Sequence, residues 1–237
     1  MILGRPFEVG SSLAVTVLRG GLGRRVGTLG DRPAEPLTLY DFEACPFCRK
    51  VRETLSILDL DAEIRPCPKG GTLYREEVRT RGGRSLFPYL VDPETGVEMY
   101  ESDDIIRYLF ERYGDGTVPR RLSPGVLNTF SSVLSGLPRV GNGAFARASR
   151  RPERSLELWS FEASPHCRLV RERLSVLELP YRLHNVARGG QRRGILQRRG
   201  GRIRVPFLAD PNTGADLYES AAILDYLDRT YALPGEP

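Results

Sequence analysis

The chain has 237 residues, with 35 Lys and Arg against 30 Asp and Glu, a formal net charge of +5. That balance is too mild to demand nucleic acid and favours small anionic partners. No apolar run approaches the roughly 20 residues a membrane-spanning helix needs. Four cysteines, Cys45, Cys48, Cys67 and Cys167, are too few to staple a secreted scaffold of this size. His166 and His184 are the only histidines, so neither a structural metal site nor a Cys-His protease arrangement is expected.

Residues 1–36 place Arg5, Arg19, Arg24 and Arg25 among small apolar residues, the composition of an organelle leader. The interior argues against that reading. Ser12, Val15, Leu18, Arg32 and Pro33 find counterparts in Ser131, Leu134, Leu137, Arg151 and Pro152, where no targeting signal could work. Both stretches therefore read as a short helix and tether belonging to the domain that follows. The expected location is the cytoplasm, with an organelle stroma left open.

Next comes a strand, Leu37-Thr38-Leu39-Tyr40, alternating in phase with the later Leu156-Glu157-Leu158-Trp159. Cys45-Pro46-Phe47-Cys48 follows it, and Ser164-Pro165-His166-Cys167 follows its counterpart, at an offset of 167 − 48 = 119. Val51, Leu55 and Leu58, like Val170, Leu174 and Leu177, fall at i, i+4 and i+7, an apolar stripe on a helix opened by proline. Residues 62–65 and 181–183 read as a second strand, and the arginine-rich segments ending at Arg81 and Arg199 as a middle helix. Pro88 and Pro206 can only open a strand. Asp92-Pro93-Glu94-Thr95-Gly96 and Asp210-Pro211-Asn212-Thr213-Gly214 then supply hairpin turns. Ser102 and Ser220 are expected to cap a last helix, whose core side carries Ile105, Tyr108 and Leu109, or Ile223, Tyr226 and Leu227. The order is β-α-β-α-β-β-α, twice, and a repeat this long is a whole domain rather than a solenoid unit of about 20–50 residues. The division is residues 1–36, a helix and tether; 37–118, the first domain; 119–154, a linker with a short helix; and 155–237, the second domain.

The motif Cys-Pro-Phe-Cys between first strand and first helix, Phe87-Pro88 or Val205-Pro206 before the third strand, and Tyr-Glu-Ser at the last helix resemble the glutaredoxins and the N-terminal domains of glutathione transferases. Tyr100-Glu101-Ser102 followed by Asp103-Asp104-Ile105-Ile106-Arg107-Tyr108-Leu109 points to the transferase branch. The resemblance covers nearly all of both copies. It implies an α/β fold of two tandem thioredoxin-like domains that bind glutathione as cosubstrate, without a metal. It also implies cis Pro88 and Pro206, with the main chains of Phe87 and Val205 holding the cysteine unit of glutathione. Glu101-Ser102 and Glu219-Ser220 would hold its γ-glutamyl end, and Lys69 or Arg65 is a weaker candidate for its glycine carboxylate.

Elementary chemistry agrees at one position. Cys45 precedes a helix, where unpaired N–H groups and the macrodipole favour a thiolate. It is the expected nucleophile, with Cys48 one turn inside as the resolving thiol. In the second copy Ser164 cannot form a disulfide but can donate to the thiolate of glutathione, as in serine-type transferases; a purely structural copy remains the alternative. Asp103 and Asp104 oppose an anion at the first copy's last helix, whereas Ala221 and Ala222 leave the second clear.

Cys67 is assigned no role, since Val186 replaces it. The arginines from Arg188 to Arg204 read as a solvated face, without the aromatic interleaving of a nucleic-acid surface. Only residues 114–154 separate the copies, and no all-helical transferase domain is recognisable, so a wall for the site is left for the opposite copy to supply. The leading expectation is a glutathione-linked thiol-disulfide oxidoreductase acting through Cys45 on a small-molecule or protein disulfide. The alternatives are a glutathione transferase using Ser164 or Cys45, and a non-catalytic glutathione-binding scaffold. Whether the copies pack as an intramolecular pseudo-dimer is open.

Overall fold

The computed structural model describes residues 5–123 and 126–234. After α1 (Arg5–Leu18) the first copy runs β1 (Leu37–Asp41), α2 (Pro46–Ile57), β2 (Ala62–Pro66), α3 (Arg75–Gly82), β3 (Tyr89–Asp92), β4 (Val97–Met99) and α4 (Ser102–Tyr113). After α5 (Val126–Gly136) the second runs β5 (Leu156–Ser160), α6 (Pro165–Val176), β6 (Tyr181–Asn185), α7 (Arg192–Gly200), β7 (Phe207–Asp210), β8 (Ala215–Tyr218) and α8 (Ser220–Tyr231). This is the tandem thioredoxin-like order. No helix among the described residues is long and apolar enough to cross a membrane.

The two copies share one eight-stranded sheet, ordered β4-β3-β1-β2-β6-β5-β7-β8. Alone, each copy would leave β2 or β6 as an open edge, a row of unpaired backbone groups. They close each other antiparallel, with Ala62 opposite Leu183, Glu63 opposite Arg182 and Ile64 opposite Tyr181. Because residues 62–64 correspond to residues 181–183, this register is its own mirror, and a pseudo-twofold axis passes through the Glu63–Arg182 pair. Leu55, Leu58, Ile64 and Ile105 bury fully in the same apolar cluster as Leu174, Leu177, Leu183 and Ile223. Each such side chain contributes about 1.5–3 kcal/mol by leaving water, so the copies are held by a common core as well as a common sheet.

The helix preceding each copy packs on the other copy. α1 lies against α6, and α5 lies against α2. Ser12 Oγ donates to the Pro165 carbonyl and Ser132 Oγ to the Pro46 carbonyl, while Arg168 Nη1 donates to the Ser12 carbonyl and Arg49 Nη1 to the Ser132 carbonyl. The expectation that each helix belongs to the domain after it is thereby corrected. So is its register: Ser12 matches Ser132 rather than Ser131, and Arg19 matches Arg139, at an offset of 120. A helix settles where its exposed donors and acceptors find partners, and the grooves that offer them lie across the axis.

A buried ionic cluster sits where α2 and α6 face each other. Arg52 contacts Asp41, Glu43 (3.2 Å) and Glu162 (3.1 Å). Arg171 contacts Glu43 (3.1 Å) and Glu162 (2.8 Å). Every arginine here thus binds a carboxylate from the opposite copy, which is what buried charge requires. Around it Arg19 pairs with Glu53, and Arg139 with Glu172.

Candidate functional site

Proline at the first helical position fixes where α2 and α6 begin, and so which residue stands at each N-cap. Cys45 has extended backbone (φ −74°, ψ 120°), and its sulfur accepts the Cys48 N–H at 3.3 Å. Ser164 repeats that geometry (φ −78°, ψ 117°), its hydroxyl accepting the Cys167 N–H at 3.3 Å.

All four cysteines are free thiols. The Cys48 thiol hydrogen-bonds the Cys45 sulfur and holds the Cys45 pKa below the usual thiol value; burial opposes this, while the amides of Cys48 and Phe47 and the charge of Arg52 reinforce it. Burial pushes Cys48 well upward, and the Cys45 sulfur and Asp41 add to that. The pair is therefore polarised, the outer sulfur being the easier of the two to ionise and the inner one the harder. Burial also raises Cys167 and Cys67.

Cys45 is 5% exposed, so its access runs through a cavity of about 400 Å³. Phe42, Lys69, Val133, Val140 and Phe145 are among its lining, and Arg168 and Glu172 of the second copy contribute to it. The linker segment thus forms one wall. Ser164 opens on a larger cavity of about 890 Å³, walled by the chain from Leu13 to Gly27. These walls were not anticipated, although Gly21-x-Gly23 and Gly141-x-Gly143, repeating at 120, were a usable signal. Gly23 and Gly143 take positive φ (76° and 75°) where the straps cross α2 and α6, and a Cβ on Gly143 would stand 2.9 Å from that of Glu43.

Of the other expected residues Lys69 lines the thiol cavity, while Phe87, Pro88, Glu101, Ser102, Val205, Pro206, Glu219 and Ser220 are not among the described residues lining either opening. The Phe87-Pro88 and Val205-Pro206 bonds are both cis. Phe87 packs edge-on against Phe42 at 6.3 Å, next to the thiol cavity, and carries the Arg75 guanidinium on its face. Val205 and Phe161 pack, partly buried, against the Trp159 cluster.

Ser102 and Ser220 are not the caps expected of them. Each is the first helical residue, and the N-cap positions are Glu101 (φ 64°, ψ 111°) and Glu219 (φ 67°, ψ 120°), neither making a side-chain cap bond. Two glutamates in the left-handed region, at equivalent places, keep both helix starts uncapped by side chains; such strain persists only where the surroundings enforce it.

Asp103 is not a bare charge at that helix start, because buried Lys50 pairs with it. The second copy replaces both partners together, with Leu169 and Ala221. Lys69 lies in the thiol cavity, 5.7 Å from the Phe145 ring centre. Arg65 is engaged with Glu77. Among the described residues no cluster of three His, Cys, Asp or Glu is placed to hold a metal ion.

Searches of the curated proteins and of the solved structures return no match to the chain. A family model does match, and it does so twice, over residues 39–117 and 158–235, each match spanning one thioredoxin-like copy. The chain therefore belongs to the family of the glutathione S-transferase N-terminal domain, carried here in tandem.

Proposed function

We propose that the protein is a glutathione-linked thiol-disulfide oxidoreductase whose nucleophile is Cys45. The observation that carries this reading is the polarised pair: a Cys45 sulfur held below the ordinary thiol pKa at the start of α2, opening on a cavity of small-molecule size. The Cys45 thiolate attacks one sulfur of a disulfide, forming a mixed disulfide and releasing the other sulfur as a thiolate. Glutathione then attacks the mixed disulfide and restores Cys45, leaving with the bound group as a new disulfide. Cys48 offers a second exit. Once Cys45 is bonded it can no longer carry the charge that raises Cys48, so the Cys48 thiol becomes easier to ionise. It attacks Cys45, forms the Cys45–Cys48 disulfide and releases the bound group as a thiolate, and two glutathiones then reduce the pair and leave as their own disulfide.

Phe87, Pro88, Glu101 and Ser102 are proposed to hold glutathione, supported by the family match and the uncapped helix start. Lys69 is proposed for the glycine carboxylate. In the assay, glutathione-dependent reduction of a small dialkyl disulfide should be lost in Cys45→Ser and retained in part in Cys48→Ser. Equal rates for the native protein and Cys45→Ser overturn the proposal.

A second reading concerns Ser164. Its oxygen accepts the Cys167 N–H and its hydroxyl hydrogen-bonds the Cys167 sulfur; rotated to the opening, the same hydroxyl would donate to a glutathione thiolate held by Val205, Pro206, Glu219 and Ser220. Conjugation of glutathione to an electrophile that is lost in Ser164→Ala and kept in Cys45→Ser is the result expected of it.

A further inference from the structure

The two cavities are built on one backbone plan and differ in lining: among the described residues, the thiol cavity has Glu43 and Glu172 among its cations, and the serine cavity has cations with no carboxylate. In the second, Arg188 N–H donates to the Arg24 carbonyl at 2.9 Å and Val26 N–H to the Arg188 carbonyl at 3.0 Å. In the first, Lys69 N–H donates to the Ala144 carbonyl at 2.7 Å and Ala146 N–H to the Lys69 carbonyl at 2.8 Å. Positions 24, 25 and 188 thus correspond to positions 144, 145 and 69. The thiol cavity fills them with Ala144, Phe145 and Lys69, whose ammonium sits by the Phe145 ring. The serine cavity fills them with Arg24, Arg25 and Arg188.

None of these three guanidiniums has a hydrogen-bond or ion-pair partner among the described residues, and no carboxylate is among the described residues lining their cavity. Other arginines of the second copy are engaged: Arg192 with Asp61 (2.8 Å), Arg199 with Asp216 (3.3 Å), Arg204 with Glu219 (3.0 Å). All three residues are exposed at the rim of one opening; like charges lining one opening without a counter-ion repel one another, and an anion relieves that repulsion. One carboxylate would neutralise only one of them. A phosphoryl group brings about −1.5 to −2 charge and several acceptor oxygens that the guanidinium fork matches.

We propose that the cavity at Ser164 binds a small soluble organic phosphate carrying two phosphoryl groups. Arg24 and Arg25 come from the strap preceding the first copy and Arg188 from the second copy. The site is complete only because the straps cross the axis. The proposal requires neither thiol of the first copy and stands apart from the redox reading.

Inorganic pyrophosphate serves as the probe, titrated calorimetrically into the full chain. Saturable one-to-one binding is expected, weakened about tenfold by each of Arg24→Ala, Arg25→Ala and Arg188→Ala, more by Arg25→Glu, and progressively by added salt. Arg107→Ala, at an exposed residue paired with Asp104, serves as the control and should bind as the native protein does. Disulfide reduction through Cys45 should be unchanged in the three arginine variants, which separates failure of this site from failure of the redox one. No binding of pyrophosphate, binding indifferent to the three substitutions, or binding of an oligonucleotide in its place overturns the proposal.

Discussion

Arg171→Met tests whether the ionic cluster across the axis holds the two copies together. The arginine is 2% exposed at its side chain and reaches Glu43 with Nε and Nη2 (both 3.1 Å), Glu162 with Nη2 (2.8 Å) and Ser160 Oγ with Nη1 (3.2 Å). Methionine keeps most of the volume and removes the charge. Glu43 then retains Arg52 at 3.2 Å and a distant Arg168 at 3.9 Å, and Glu162 retains Arg52 at 3.1 Å and Arg168 at 3.8 Å. Arg52 already serves Asp41 as well, so Arg52 and the more distant Arg168 are left to serve three buried carboxylates. Removing one partner of a buried ion pair costs about 3–5 kcal/mol, against about 5–15 kcal/mol for a whole fold. In a chain of this length each kcal/mol moves the melting temperature by about 2–4 °C, so a fall of roughly 6–20 °C is expected.

Acid offers a second check on the same cluster. Burial pushes the Glu162 carboxyl up, but Arg171, Arg52 and Arg168 outweigh it and hold it at about 2. A depressed carboxyl adds stability that is full above the unfolded value of 4.5 and lost as pH falls through about 2. Without Arg171 that loss begins at higher pH. Adding Glu43→Gln to Arg171→Met removes an orphaned carboxylate and should restore about 0.5–3 kcal/mol of coupling. Denaturant unfolding followed by circular dichroism reads the native protein, each single variant and the double variant. A single-variant loss under about 1 kcal/mol, or strict additivity in the pair, refutes the reasoning.

Two further predictions concern the thiol and the strap. Alkylation of Cys45 by iodoacetamide should rise at a pH below that of free cysteine, and Cys48→Ala should move the profile upward by removing the thiol that donates to Cys45; an unmoved profile assigns the shift elsewhere. In the reduced protein the depressed Cys45 value adds stability that is full above the unfolded thiol pKa and lost as pH falls through the folded one. Gly143→Ala combines a positive φ with a Cβ 2.9 Å from that of Glu43, whereas at Gly141, φ 87°, a Cβ meets nothing within 4 Å. Both substitutions should cost about 1–2 kcal/mol of left-handed strain; only Gly143→Ala should cost more and disturb the ionic cluster, and equal melting points for the two would exclude a close crossing there.

The alternation of Leu37 to Tyr40, the stripe of Val51, Leu55 and Leu58, and the Asp-Pro-x-Thr-Gly turns made the strands, helices and hairpins legible. Proline after Cys45 and Ser164 made the N-cap positions legible too. What stayed hidden was the use of the opposite helix face. Arg49, Arg52, Glu53 and Ser56 read as a solvated surface on any amphipathic helix, and all four are buried. Their burial depends on a second copy lying across the axis, which no local period encodes. The straps escaped for a related reason. A helix such as α1 fits either copy by pattern, and only the bonds of Ser12 and Arg168 decide which.

The exchange of cysteine for serine between the copies does not stand alone, which bears on whether the second copy is a decayed one. Beneath Cys48 lies Asp41, which raises that thiol; its counterpart Ser160 hydrogen-bonds Cys167 and lowers it against a larger burial effect. At the last helix Lys50 and Asp103 give way together to Leu169 and Ala221, so no buried charge is orphaned. At the cavity mouth Ala144, Phe145 and Lys69 stand opposite Arg24, Arg25 and Arg188. Substitutions accumulating without function would leave broken pairs, since each half-replaced ion pair costs stability. Here the cap residue, the group under the inner cysteine, the helix-start pair and the cavity lining change as matched sets within an unchanged backbone plan. Such matched changes fit a site rebuilt for a different ligand on a copy that shares one apolar core with the first.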